Sequence, residues 1–130
     1  MLSIKIDEEK LIAILQPEGP LSEKDFQLAT NQLAPFIKNS KRLNGLIIYT
    51  KFFPGWQSLP ALFSHFRFVK NHHKKVLHLV LVSDSILTNF ATLVIRHFIK
   101  PKIKVFPYHE FEKAKKWVVS TVVKNNSLPL

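Results

Sequence analysis

The sequence predicts an α/β fold: one mixed, largely parallel five-stranded sheet with four helices. Short aliphatic runs alternate with longer stretches whose apolar residues recur at helical spacing, in the order β-β-α-β-α-β-α-β-α. The chain has 130 residues, 46% of them hydrophobic and 22% charged, enough for one core and too apolar for disorder. Repeats, low-complexity segments and linkers do not interrupt it. One domain is therefore expected over residues 1–124, with a loose tail over 125–130.

"LSIKI" alternates apolar and polar residues as a half-buried strand does, "DEEK" turns the chain, and "LIAIL" returns as a more buried strand. "QPEGP" ends that hairpin. Ser22 and Asp25 stand at capping-box spacing, and the helix they open repeats Phe26, Ala29, Leu33 and Ile37 on one face. Pro35 should bend or shorten it. "GLIIYT" is a buried strand.

"KFFPGWQSLPALFSHFRF" follows, with one Trp, five Phe and no acid. Pro54 and Gly55 make its turn, and a helix is expected from about Gln57. Leu59, Leu62, Phe63, Phe66 and Val69 form one stripe and should face the sheet. Phe68 lies opposite Leu59 on the helical wheel, beside Ala61, His65 and His72. "KKVLHLVLVSD" is the next strand, and Asp84 is the expected cap of a helix over 85–99. That helix has a core stripe of Leu87, Phe90, Ala91, Val94 and Phe98. Ile86 and Leu93 flank one side and Ile95 and Ile99 the other, so it needs cover on more than one side. "KIKVFPY" supplies the last strand. A final helix from His109 to Val123 would bury Phe111, Ala114, Val118 and Val122.

Several function classes fall away on residue supply. Without cysteine there is no disulfide, thiolate chemistry or Cys-ligated zinc. His72-His73 lacks a carboxylate at metal spacing, so no metal is expected. No GxSxG elbow occurs, Ser64 and His65 point apart on a helix, and three glycines build no phosphate loop. Neither an enzyme nor a cofactor is expected. The N-terminus lacks a signal-peptide pattern and no apolar run reaches a membrane-spanning length of roughly 18 residues, so a cytoplasmic protein without a transmembrane segment is expected.

The net charge of +10 is unevenly placed. Six of nine acids fall within residues 1–25, and none occurs from Phe26 to Ser83, where eight cations do. Lys70, Lys74, Lys75, Arg96 and Lys100 are the anion-facing candidates. With no recognised motif, nucleic acid is not the expected partner.

Four stretches, "PEGPLSEKDF", "FFPGWQSLPAL", "VLHLVLVSD" and "VFPYHEFEKAKKWV", resemble the SpoIIAA-like family, within the STAS and CRAL-TRIO-like architecture. The Gly55-Trp56 pair and the Phe111, Ala114, Trp117 spacing are the most telling. The resemblance implies a binding or regulatory module that docks proteins on a helical face. A homodimer is one form of this. Its alternative, by analogy with CRAL-TRIO domains, is a carrier or sensor of a small lipid-like or anionic amphipathic ligand. In STAS anti-sigma antagonists a phosphorylated Ser follows an Asp after the third strand. Ser58 is the nearest counterpart, but Gln57 precedes it, and a helix-capping role is expected instead. The candidate ligand or partner surface comprises Phe52, Trp56, Ser58, His65, Phe68, His72, Ile86 and Leu93.

Overall fold

Leu2–Asp7 (β1) and Ile12–Pro17 (β2) pair antiparallel, with Leu2 opposite Pro17 and Asp7 opposite Ile12. The turn between them is tied by the Lys10 amide donating to Asp7 Oδ1 at 3.1 Å. Its Leu11 carbonyl accepts from the Asn44 amide at 2.8 Å, which fixes the hairpin onto the third strand. Leu43–Tyr49 (β3), Val76–Val82 (β4) and Lys102–Phe106 (β5) then add in parallel, giving the sheet order β1-β2-β3-β4-β5.

The computed structural model describes residues 1–38, 41–85 and 98–127. Three helices are described: Glu23–Ile37 (α1), Leu59–His72 (α2) and Phe111–Ser127 (α3). The fourth expected helix, over 85–99, falls largely outside these residues, and with it the candidates Ile86, Leu93 and Arg96. The last helix runs beyond the Val123 expected for it, to Ser127. Among the described residues no helix is long and apolar enough to cross a membrane.

Among the described residues, different helices cover the two faces of the sheet. On one, Ala13, Leu15, Leu43 and Leu46 meet Phe26, Ala29, Leu33 and Ile37 of α1, the four residues expected from its spacing. On the other, Ile12, Ile47, Val80 and Val82 meet Ala114 and Val118 of α3. Each fully buried aliphatic side chain contributes about 1.5–3 kcal/mol relative to exposure. α3 can lie close because Gly45 of β3 offers no side chain beneath it: a Cβ there would stand 2.6 Å from Val118 Cγ1.

α1 starts where its sequence signature places it. Ser22 Oγ accepts from the Asp25 amide at 3.2 Å, and Asp25 Oδ2 accepts from the Ser22 amide at 2.8 Å. Pro35 does not stop the helix, which ends two residues later at Ile37. Ser22→Ala should cost about 1 kcal/mol, the usual loss of an N-cap. Urea denaturation followed by circular dichroism would read it as a lower midpoint at unchanged slope.

Candidate functional site

Ser58 sets the start of α2. Its Oγ accepts from the Ala61 amide at 3.2 Å, and Pro60 follows within the first turn, where a missing N–H costs nothing. Ser58 is thus a helix cap, as expected of it.

The face that α2 buries is not the one its apolar pattern indicates. Ala61, His65, Phe68 and His72, spaced four, three and four residues apart, point inward. Ala61 is fully buried, and the His65 and Phe68 rings lie 5.0 and 5.9 Å from Phe26 of α1. His72 stacks on Phe68 at 4.3 Å, its Nδ1–H donating to the Phe68 carbonyl at 2.8 Å. Leu59, Phe63 and Phe66, also four and three apart, stand 68, 57 and 60% exposed, while Leu62 and Val69 are half-buried. The expected core stripe is therefore corrected: Leu59, Phe63 and Phe66 form the outer face, and Leu62 and Val69 lie at its margins. The reason is that α2 packs on α1 rather than lying flat on the sheet. Ala61 permits that approach, and the stacked rings of Phe26, His65, Phe68 and His72 fill the seam. Phe68, the residue that did not fit, is part of the core wall.

The loop before α2 is stitched to the segment before α1. The Leu21 amide donates to the Gly55 carbonyl at 2.9 Å, and the Gln57 amide donates to the Leu21 carbonyl at 2.8 Å. Gly55 has a φ of +82°, a conformation other residues resist, so "PGW" holds a glycine for a geometric reason. Trp56 turns its ring toward α2, and its indole Nε1–H donates to His65 Nδ1 at 2.9 Å. Phe53 meets that indole edge-on at 5.1 Å. Burial among these rings lowers the His65 pKa below its ordinary value of 6.5. Phe52 points away and is 63% exposed, with Lys51 Nζ 5.8 Å from its ring centroid.

A groove of about 470 Å3 runs between α1 and α2. Phe26 and Phe68 line part of it, but Glu23, Asn31, Arg67 and Asn71 make its walls largely polar. A second hollow of about 330 Å3 lies where β4 and β5 end, beside Ser83, Asp84 and Pro107. Asp84 Oδ1 accepts there from the Tyr108 amide at 2.9 Å. The helix it was expected to cap lies outside the described residues. On the α3 side, a side-chain hydrogen bond with the Tyr108 stacked against it, together with burial, raises the Tyr49 pKa above its ordinary value of 10.0.

The cationic candidates gather at the opposite end of the sheet. Lys70 is in the last turn of α2, and Lys74 and Lys75 lead directly into β4. Lys100 precedes β5, its amide donating to His73 Nδ1 at 3.1 Å. Because β3, β4 and β5 are parallel neighbours, Lys41 and Arg42 before β3 and Lys102 at the head of β5 share this edge. All seven are exposed, and among the described residues none is in an ion pair. Lys41 and Arg42 were not among the anion-facing candidates, and parallel pairing was the signal that could have placed them. The site residues thus divide: Phe52 and, in part, Trp56 are outward, while His65, Phe68 and His72 face α1.

A family model described as SpoIIAA-like matches residues 12–119. Among solved structures, an uncharacterized protein from the DUF3478 family with a SpoIIAA-like fold, from Shewanella loihica PV-4, is similar with a TM-score of 0.68. It is 19% identical, and the match covers 91% of this chain and 92% of that one. No curated protein matches this chain.

Proposed function

Because the chain belongs to the SpoIIAA-like family, we propose that it is a non-catalytic binding or regulatory module that docks a protein partner on the outer face of α2. One observation carries this reading: Leu59, Phe63 and Phe66 form a continuous apolar stripe on a helix whose other face is already packed. Apolar side chains grouped in this way favour burial against a partner. Arg67 and Lys70 lie on the same exposed helix, so a partner with carboxylates around apolar anchors fits better than a second copy, which would bring like charges together. A carrier of a lipid-like ligand would need an apolar cavity reached beside Trp56. The groove between α1 and α2 has polar walls, which favours docking over carriage.

The test is a paired capture with the wild-type protein and the Phe63→Glu/Phe66→Glu variant. Any retained protein is then purified and its affinity measured by titration calorimetry. Both forms should show the same circular dichroism, because neither side chain is in the core, while affinity should fall at least about tenfold, the loss of roughly 1.4 kcal/mol expected from a central apolar anchor. Equal affinity of the two forms for every captured partner would defeat the reading.

A further inference from the structure

We propose that His65 is a proton-operated latch on the Trp56 indole, holding it against α2 when neutral and releasing it to the protein surface when protonated. This inference rests on the docking reading, since it concerns how that surface is regulated. The geometry fixes the chemistry. Trp56 Nε1 can only donate, so His65 Nδ1, 2.9 Å away, must accept, and the imidazole must be the neutral tautomer with its proton on Nε2. A second proton would occupy Nδ1. Two donors would then face each other, and the hydrogen bond between the rings would be lost. The same proton would leave a cation among Phe26, Phe53 and Trp56, where no described residue forms an ion pair with it.

The surrounding charged and polar groups are already engaged or solvated. On α1 these are Glu23, exposed, and Asp25, which accepts from the Ser22 amide and lies 3.5 Å from the Met1 ammonium. On α2 they are Arg67, exposed, and His72, stacked on Phe68. Lys51 begins the loop and is exposed. The loop backbone stays bridged to Leu21, so the indole swings while the chain path holds. Release turns a fourth large aromatic fully outward, joining Phe52, Phe63 and Phe66 on that loop and helix, and adds a positive charge. Both changes strengthen a surface suited to an acidic, apolar partner.

Stability should follow the same proton. The unfolded imidazole titrates near 6.5 and the folded one lower, so between those values the unfolded chain binds more protons. The contribution is complete above 6.5 and declines as pH falls to the folded pKa.

Two-dimensional proton–nitrogen NMR of the whole protein from pH 7.5 to 4.5 tests the latch, with the two indole signals assigned through Trp117→Phe and folding followed by circular dichroism. The Trp56 indole signal should move through a single sigmoid, with a midpoint below 6.5 that matches the His65 ring protons. In His65→Gln, whose amide oxygen accepts the same bond without titrating, that movement should vanish, while the Trp117 signal behaves as in the wild type. Trp56→Phe should raise the His65 midpoint, because a bond that favours the neutral ring is gone. A Trp56 signal that is flat while the protein stays folded overturns the latch, as does one that titrates equally in His65→Gln, or a His65 midpoint unchanged by Trp56→Phe. None of these outcomes depends on Phe63 or Phe66, so the latch and the docking surface can fail separately.

Discussion

Phe26→Ala should destabilise the protein by about 3–5 kcal/mol, whereas Phe63→Ala should change stability by no more than about 0.5 kcal/mol. Phe26 is buried on α1 and touches two of the three rings that α2 turns inward, so its removal opens a cavity at the seam and leaves His65 and Phe68 unsupported. Phe63 is 57% exposed, and alanine is the better helix former, so little is lost. The pair distinguishes two orientations of one helix. If the apolar stripe of α2 faced the sheet, Phe63→Ala would be the costly change. Chemical denaturation of both variants, compared at constant slope, decides it. A loss above about 2 kcal/mol for Phe63→Ala would mean that the helix is turned the other way.

Gly45→Ala is expected to cost about 1–3 kcal/mol, a large penalty for one methyl group. The new carbon would meet Val118 Cγ1 at 2.6 Å, and Val118 is fully buried on the sheet-facing side of α3. The strand must yield or the helix must lift. Val118→Ala removes the clashing atoms, so the double variant should lose less stability than the two single changes summed. Residues in direct contact couple in this way. Strictly additive losses in a double-mutant cycle would show that Gly45 matters for another reason.

Much of the fold was legible because local rules and tertiary packing agreed. The hairpin, the three parallel strands and α1 follow from periodicity and from the Ser22–Asp25 signature, and every expected core residue of α1 is buried. α2 broke that agreement. Its sequence carries two interleaved stripes, one apolar at 59, 63 and 66 and one mixed at 61, 65, 68 and 72. Hydrophobicity alone favours burying the first. What decided otherwise was the surface available to it: α1 offered Phe26, against which histidine rings stack as well as aliphatic groups pack, and Ala61 let the helices approach. The inward imidazoles then serve as aromatic surfaces rather than as charges.

The seven-cation edge has a similar origin. No sequence window contains it, because its members come from three separate segments, 41–42, 70–75 and 100–102, brought together by parallel pairing of β3, β4 and β5. Composition announced a basic protein, and only the strand order says where the charge is concentrated. The Trp56–His65 bond is likewise invisible in sequence, since two residues nine apart on a loop and a helix meet only once Leu21 has pinned the loop.

By itself, then, the sequence determined the described strands and helices, their order, the α1 core and the sign of the charge, because each of these depends on neighbours within a few positions along the chain. Tertiary structure alone decided which face of α2 meets solvent, where the cations converge and which nitrogen of His65 receives the indole proton. Those outcomes depend on which distant surface is nearest after the sheet has formed, and short-range pattern carries no information about it.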